Sequence, residues 1–69
     1  MTLYFKNSRG KRKKLATFKD KSVVFDLINA DVRKRNPDYK IYYTRTWRKG
    51  NETYFDVGSW TELYILVED

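Results

Sequence analysis

The chain has 69 residues, no cysteine and no histidine, and a formal net charge of +6. It therefore has neither a disulfide framework nor a Cys/His metal site, and so short a chain buries only roughly 60% of the surface that its unfolded form exposes. The chain contains no run of about 18 apolar residues, which a membrane span would need, and its first residues lack the order of a signal peptide. We therefore expect a single small cytoplasmic domain over residues 1–69. We expect it to have no cofactor, no metal and no contact with a membrane.

The first predicted element is a strand. Residues 2–6 alternate, with Leu3 and Phe5 on one face, which is typical of a half-buried strand. Residues 7–13 contain Asn, Ser and Gly and are predicted to form an exposed hairpin loop. This loop is strongly basic, because residues 9–14 hold five Lys or Arg side chains in six positions.

A second strand is predicted to follow at about residues 14–18. The run is too short to show which of its faces turns inward. Two arrangements stay open: either Ala16 and Phe18 face the core, or Leu15 and Thr17 do.

A helix is predicted from Val23 to about Arg35, because apolar residues recur there at helical spacing. Asp20 and Ser22 precede it, and either side chain is suited to cap the first turn. The residues that share the apolar side are Val24, Leu27, Ile28 and Val32, with Phe25 at its edge. We expect this side of the helix to pack on the sheet.

Asp31 falls within the apolar side of the helix, four residues before Arg35. This spacing predicts an ion pair worth roughly 0.3 to 0.5 kcal/mol. Asn36 and Pro37 are expected to end the helix, because asparagine tolerates a left-handed cap and Pro37 disfavours helical geometry in the residue before it.

Alternating residues on both sides of a Gly-Asn pair predict a hairpin, and two registers are possible. A two-residue turn at residues 50–51 sets Trp47 opposite Tyr54. A three-residue loop at residues 49–51 instead places Trp47 on the same face as Phe55. We favour the three-residue loop, because it collects more apolar area on the face that meets the helix.

The last strand is predicted over about residues 60–68, with Leu63, Ile65 and Val67 facing the core and Tyr64 on the other face. Its nearly continuous apolar run favours a central position in the sheet. The apolar faces of the helix and of all the strands can be buried together only if the strands form one sheet and the helix packs on it. The predicted fold is α+β with the order ββαβββ, in which one helix packs on one face of a mostly antiparallel, five-stranded sheet.

Charge is divided unevenly along the chain. Residues 1–49 hold all fifteen Lys and Arg residues against four acidic ones, a net +11, whereas residues 50–69 hold five acidic residues and no base, a net −5. Such a split is typical of a protein with one face that attracts polyanions. It is also typical of neighbouring strands of opposite charge, in which each exposed pair contributes at most about 1 kcal/mol.

The first functional hypothesis is contact with the phosphates of DNA or RNA, which needs several closely placed cations. The predicted nucleic-acid-binding residues are Arg9, Lys11, Arg12, Lys13, Lys14, Arg33, Lys34 and Arg48. Tyrosines on an open sheet would add base stacking. Two observations oppose the hypothesis: no RNP-like, helix-turn-helix or zinc-finger pattern occurs, and Glu52, Asp56 and Glu62 share the aromatic face. The simpler interpretation of the basic segment is a solvated turn.

The second hypothesis is a protein-interaction module: an adaptor, an inhibitor or a homodimer. Interfaces favour Tyr, Trp and Arg, which this chain carries on its predicted strands. The predicted interaction surface consists of Tyr42, Tyr54, Trp60 and Tyr64. The simpler interpretation is that tyrosine packs well across strands on any hydrated sheet.

Catalysis is not expected. Without His or Cys, acid/base or nucleophilic chemistry falls to other side chains, and no pair of these has a recognisable catalytic spacing. The three glycines stand far apart and form no phosphate loop. Small size, basic charge and the lack of a motif are common among accessory proteins of phages and mobile elements, so we expect a binding protein of this general character.

Overall fold

The computed structural model describes residues 1–38, 45–58 and 62–68. Its strands are β1 (Thr2–Lys6), β2 (Arg12–Thr17), β3 (Arg45–Lys49), β4 (Glu52–Asp56) and β5 (Leu63–Val67), and its helix is α1 (Val24–Arg35), preceded by a 3-10 turn (Lys21–Val23). The strands form one sheet of order β2-β1-β5-β4-β3, in which every neighbouring pair is antiparallel. The predicted α+β fold, the order ββαβββ and the central position of the last strand are confirmed.

Helix α1 follows the predicted apolar pattern. The Asp20 side chain accepts a hydrogen bond from the backbone N–H of Ser22 at 2.9 Å and so caps the 3-10 turn that leads into the helix. The buried helix residues are Val24, Ile28 and Val32. The helix ends at Arg35, but Asn36 is extended, with φ −149°, so the predicted left-handed cap is wrong. A proline disfavours helical geometry in the residue before it, so Pro37 favours the extended conformation of Asn36.

Strand β2 begins at Arg12, two residues earlier than predicted, and it contains a bulge. Leu3 pairs with Ala16 and Tyr4 pairs with Lys14, so Leu15 is an extra residue without a partner in the register. The bulge interrupts the alternation of faces, and both Leu15 and Ala16 are half-buried. Neither of the two simple alternations left open by the sequence describes this strand.

The β3–β4 hairpin has the register that we did not favour. Lys49 pairs with Glu52 and Trp47 pairs with Tyr54, which leaves the two-residue turn at residues 50–51. Gly50 has φ +61°, as the first central residue of a type II′ turn requires, and this turn matches the twist of the flanking strands. The three-residue loop is therefore wrong. The favourable geometry of the two-residue turn outweighs the apolar area that the three-residue loop would have placed on the helix side. Trp47 also loses little contact, because it stacks on Tyr54 on the other face.

Strand β5 also faces the opposite way from the prediction. Tyr64 and Leu66 are 1% and 0% exposed and belong to the core beneath α1. Ile65, which is 0% exposed, lies on the face opposite α1, between its register partners Tyr4 and Tyr54. A central strand buried on both faces carries no alternation of polarity, so its pattern does not reveal which side meets the helix.

The core lies between α1 and one face of the sheet. Its buried cluster consists of Leu3, Phe5, Val24, Ile28, Val32, Phe55, Val57, Tyr64 and Leu66. Met1, Leu15, Phe18 and Leu27 are half-buried and pack against this cluster. We call the opposite side of the sheet the open face. In the part of the chain that the structure describes, no helix is long and apolar enough to cross a membrane.

Candidate nucleic-acid interface

A groove of about 330 Å³ lies between strand β2 and helix α1, and we call it the basic groove. The described residues that line it are Lys13, Lys14, Leu15, Leu27, Ala30, Asp31 and Lys34. Three of these residues are apolar and three are lysines, of which Lys14 pairs with Tyr4 and so directs its side chain toward the other face of the sheet. The groove therefore joins the basic segment of the first hairpin to the basic end of the helix, which the sequence analysis treated as separate patches.

Local structure explains why the groove forms. β2 is at the edge of the described sheet, so no other described strand lies beside it. Lys13 pairs with Phe5, a core residue, and therefore stands on the helix side of the sheet. The bulge adds Leu15 to the same side, while Ala30 on the helix is small and leaves room.

The three lysines of the groove are available for an anion. None of Lys13, Lys14 and Lys34 forms an ion pair with another described residue. Among the described residues that line the groove, Asp31 is the single carboxylate. The groove therefore keeps a net positive charge among its described lining residues.

The Asp31 carboxylate is held by the core and the helix. Its Oδ2 accepts a hydrogen bond from the Tyr64 hydroxyl at 2.6 Å and one from Arg35 Nε at 2.7 Å. The predicted ion pair between Asp31 and Arg35 is confirmed. Arg35 also lies over the Phe5 ring, with its Cζ 3.7 Å from the ring centroid. Burial, reinforced by the hydrogen bond to Asp31, raises the pKa of Tyr64, so this hydroxyl remains a donor at neutral pH.

The turn that precedes β2 is ordered by Asn7. The Asn7 side chain accepts hydrogen bonds from the backbone N–H groups of Arg9 at 2.9 Å and Lys11 at 3.0 Å. Gly10 has φ +81° and donates its N–H to the Asn7 carbonyl oxygen. Arg9 and Lys11 are exposed to solvent on this turn.

Two of the predicted phosphate-binding residues are held elsewhere. Arg12 donates to both carboxylate oxygens of Glu52, at 2.7 and 3.2 Å. Arg48 lies in the other hairpin, with Nη2 3.1 Å from Glu68 Oε2, and that carboxylate also pairs with Lys21. Lys21 and Arg48 hold the pKa of Glu68 below its usual range. Neither Arg12 nor Arg48 lines the basic groove.

Arg12 and Glu52 form an ion pair on the open face, with Arg12 Nη1 2.7 Å from Glu52 Oε2. The Arg12 guanidinium, together with the Tyr54 hydroxyl, lowers the pKa of Glu52 from 4.5 to about 2. Glu52 was predicted to repel phosphate from the aromatic face. The nearby positive charge of Arg12 opposes that repulsion.

The Glu52 pair predicts a pH dependence of stability. A carboxylate whose pKa is lowered in the folded state adds stability above its ordinary pKa of 4.5, and this contribution disappears as pH falls toward about 2. We expect the loss to be at most about 1 kcal/mol, because the pair is exposed. Urea unfolding of the wild type and of Glu52→Gln between pH 5 and pH 2.5 measures it. Parallel curves for the two proteins would show that the pair does not form in solution.

The open face carries aromatic side chains that pack on one another. The Trp47 and Tyr54 rings are stacked, with centroids 5.2 Å apart and an angle of 6° between their planes. The Arg45 guanidinium lies over the Trp47 ring, 4.6 Å from its centroid. Both aromatic side chains are half-buried, and so is Tyr4 on the same face.

The predicted interaction surface is only partly recovered. Tyr54 lies on the open face as expected. Tyr64 does not, because it is 1% exposed and lies in the core, so its predicted place on an exposed surface is wrong. Tyr42 and Trp60 lie outside the described residues. Trp47, which the wrong hairpin register assigned to the helix side, takes the place beside Tyr54.

The sequence analysis missed the apolar floor of the groove, which consists of Leu15, Leu27 and Ala30. Leu27 was assigned to the core face of the helix, and Ala30 carried no signal. An inward-facing Leu15 was one of the two arrangements that the sequence left open, but the bulge that brings Leu15 and Ala16 together has no sequence signature here. The basic segment and Lys34 were the features that pointed to this region.

No set of three or more carboxylates is close enough to hold a metal ion within the described residues. Comparison of the chain with protein-family models, with curated proteins and with solved structures gives no match. We therefore infer function from the geometry and charge of the chain itself.

Proposed function

We propose that this protein is a non-enzymatic binding module that contacts the phosphate backbone of nucleic acid through the basic groove and the neighbouring turn. The observation that carries the proposal is the meeting of lysines from two distant segments, Lys13 on β2 and Lys34 on α1, at one groove that Lys14 also borders from the strand edge. Phosphates need such closely placed cations, and binding releases the counterions that surround the nucleic acid.

The cations of this region differ in how free they are to bind. Arg9 and Lys11 are exposed on the ordered turn, and Arg33 is exposed on the helix beside Lys34. Arg12 is engaged by Glu52, and a phosphate that recruits it has to break that contact. We therefore assign the main contribution to the lysines of the groove, with Arg9, Lys11 and Arg33 adding to it.

A second candidate function is protein binding at the open face. The stack of Arg45, Trp47 and Tyr54 favours it, because these residue types dominate the energetic centres of interfaces. The two candidates differ in their response to salt. Phosphate contacts lose affinity steeply as salt rises, whereas burial of an aromatic face depends on salt only weakly.

Replacing Lys13, Lys14 and Lys34 together with alanine is expected to weaken binding to short mixed-sequence DNA and RNA by about tenfold or more at low salt. The slope of log K against log salt should become shallower by about one unit for each lysine that contacts a phosphate. Fluorescence anisotropy titrations at about 50 and 200 mM salt measure both quantities.

The matched control is the triple variant Lys19→Ala, Lys21→Ala and Lys49→Ala, which loses the same net charge outside the groove. We expect it to bind with nearly the wild-type salt slope. Equal weakening in both triple variants would mean that net charge alone attracts the nucleic acid, and the groove would not be the site. No binding by the wild type in any titration would refute the proposed function.

A further inference from the structure

The basic groove is lined by lysines and by apolar residues, and binding of a phosphate would involve only the lysines. Leu15, Leu27 and Ala30 give it an apolar floor, while the lysines supply the charge. A surface that only neutralises a backbone needs no apolar floor. The ligand that fits both linings carries an anionic group next to an apolar, preferably planar, group.

The size of the groove limits this ligand. Its volume of about 330 Å³ is at the lower end of the range of small-molecule sites, which runs from roughly 300 to 1,000 Å³. Such a volume suits one compact unit rather than a long chain. The single lining carboxylate, Asp31, is already engaged by Arg35 and Tyr64, so its charge opposes an anion less than a free carboxylate would.

We propose that the basic groove seats one unpaired nucleotide, with its base on Leu15, Leu27 and Ala30 and its phosphate at Lys13 and Lys34. This inference rests on the proposed function and names its substrate class: a single strand, or a strand end, whose base is free to leave the stack. The open-face aromatics are not part of this site, because Trp47 is already covered by Tyr54 and Arg45. A paired base is held inside a duplex and does not reach the floor.

A direct test uses small probes with the full chain. NMR titrations with a nucleoside 5′-monophosphate, with inorganic phosphate and with an alkyl phosphate compare the methyl signals of Leu15, Leu27 and Ala30. We expect clear methyl shifts with the monophosphate and much smaller ones with inorganic phosphate at the same concentration. Equal methyl shifts with inorganic phosphate, or tighter binding of the alkyl phosphate, would overturn the assignment of a base to the floor.

A second test fills the groove without changing its charge. Ala30 is exposed on the helix, so Ala30→Leu adds volume at the floor and keeps a good helix former. Ala30→Ser is the matched control, since it keeps the side chain small. We expect Ala30→Leu to weaken binding of the monophosphate and of single strands about tenfold, with the salt slope for strands unchanged, and Ala30→Ser to behave like the wild type.

The outcomes separate this inference from the proposed function. Strand binding that depends on the three lysines but not on Ala30→Leu would overturn the seating of a nucleotide and leave phosphate binding in place. A preference for duplex over single strand in the wild type would also overturn it. Absence of both monophosphate and strand binding would remove the proposed function and this inference together.

Discussion

Replacing Leu66 with alanine is expected to lower the free energy of unfolding by about 2 to 5 kcal/mol. Leu66 is 0% exposed on the central strand β5, where it pairs with Leu3 on one side and Thr53 on the other. The substitution removes buried apolar surface and leaves a cavity under the helix. Domains have only about 5 to 15 kcal/mol of stability in total, and a core this small gives little reserve.

Val67→Ala is the control for this prediction, because it truncates the next residue of the same strand. Val67 is half-buried and pairs with Glu52 and Thr2 on the open face, so we expect a smaller loss than for Leu66. Urea unfolding followed by circular dichroism gives both values. If Val67→Ala cost as much as Leu66→Ala, strand β5 would have to face the way that its sequence pattern predicted.

The second large effect is expected from Asp31→Ala, with opposite signs for stability and binding. Losing the carboxylate leaves the buried Tyr64 hydroxyl without this acceptor, and we expect a cost of about 1 to 3 kcal/mol. The same change removes the single carboxylate from the described lining of the basic groove. Polyanion affinity is therefore expected to rise severalfold while the fold becomes less stable.

A double-mutant cycle with Tyr64→Phe tests the structural half of this prediction. Because the two groups share one hydrogen bond, the double variant should be more stable than the sum of the single losses implies, by roughly 0.5 kcal/mol or more. Asp26→Ala is the control for binding, since it removes an exposed helix carboxylate outside the groove. An equal rise in affinity for Asp26→Ala would show that the groove has no special sensitivity to charge.

The elements with a one-sided pattern are the ones that the sequence predicted well. Residues 2–6 and the helix each have one apolar and one polar side, and their predicted boundaries agree with the structure to within one residue, since α1 begins at Val24 rather than Val23. Strand β5 is apolar on both sides, and its facing depends on its neighbours. Tyr64 faces the helix, where its hydroxyl donates a hydrogen bond to Asp31, a residue 33 positions away in the sequence.

The candidate site could be predicted only in part, because it also depends on contacts between residues that are distant in sequence. Charge density is a local property, so the basic segment and Lys34 were visible in the sequence. The groove depends on a bulge that turns Leu15 inward and on the packing of α1 beside an edge strand. Ion pairing is also non-local, because Arg12 and Glu52 lie 40 residues apart, and no pattern showed that Arg12 is withdrawn from the basic set.

The two outer strands of the described sheet, β2 and β3, are its most basic ones. An outer strand offers unpaired backbone groups to any second chain, and lysine or arginine there repels another copy before the two backbones pair. We therefore expect Lys13 and Lys14 to oppose self-association, whether or not they also contact the proposed ligand. If the proposed phosphate binding is correct, substitutions at these two positions would change resistance to aggregation and affinity for phosphate together.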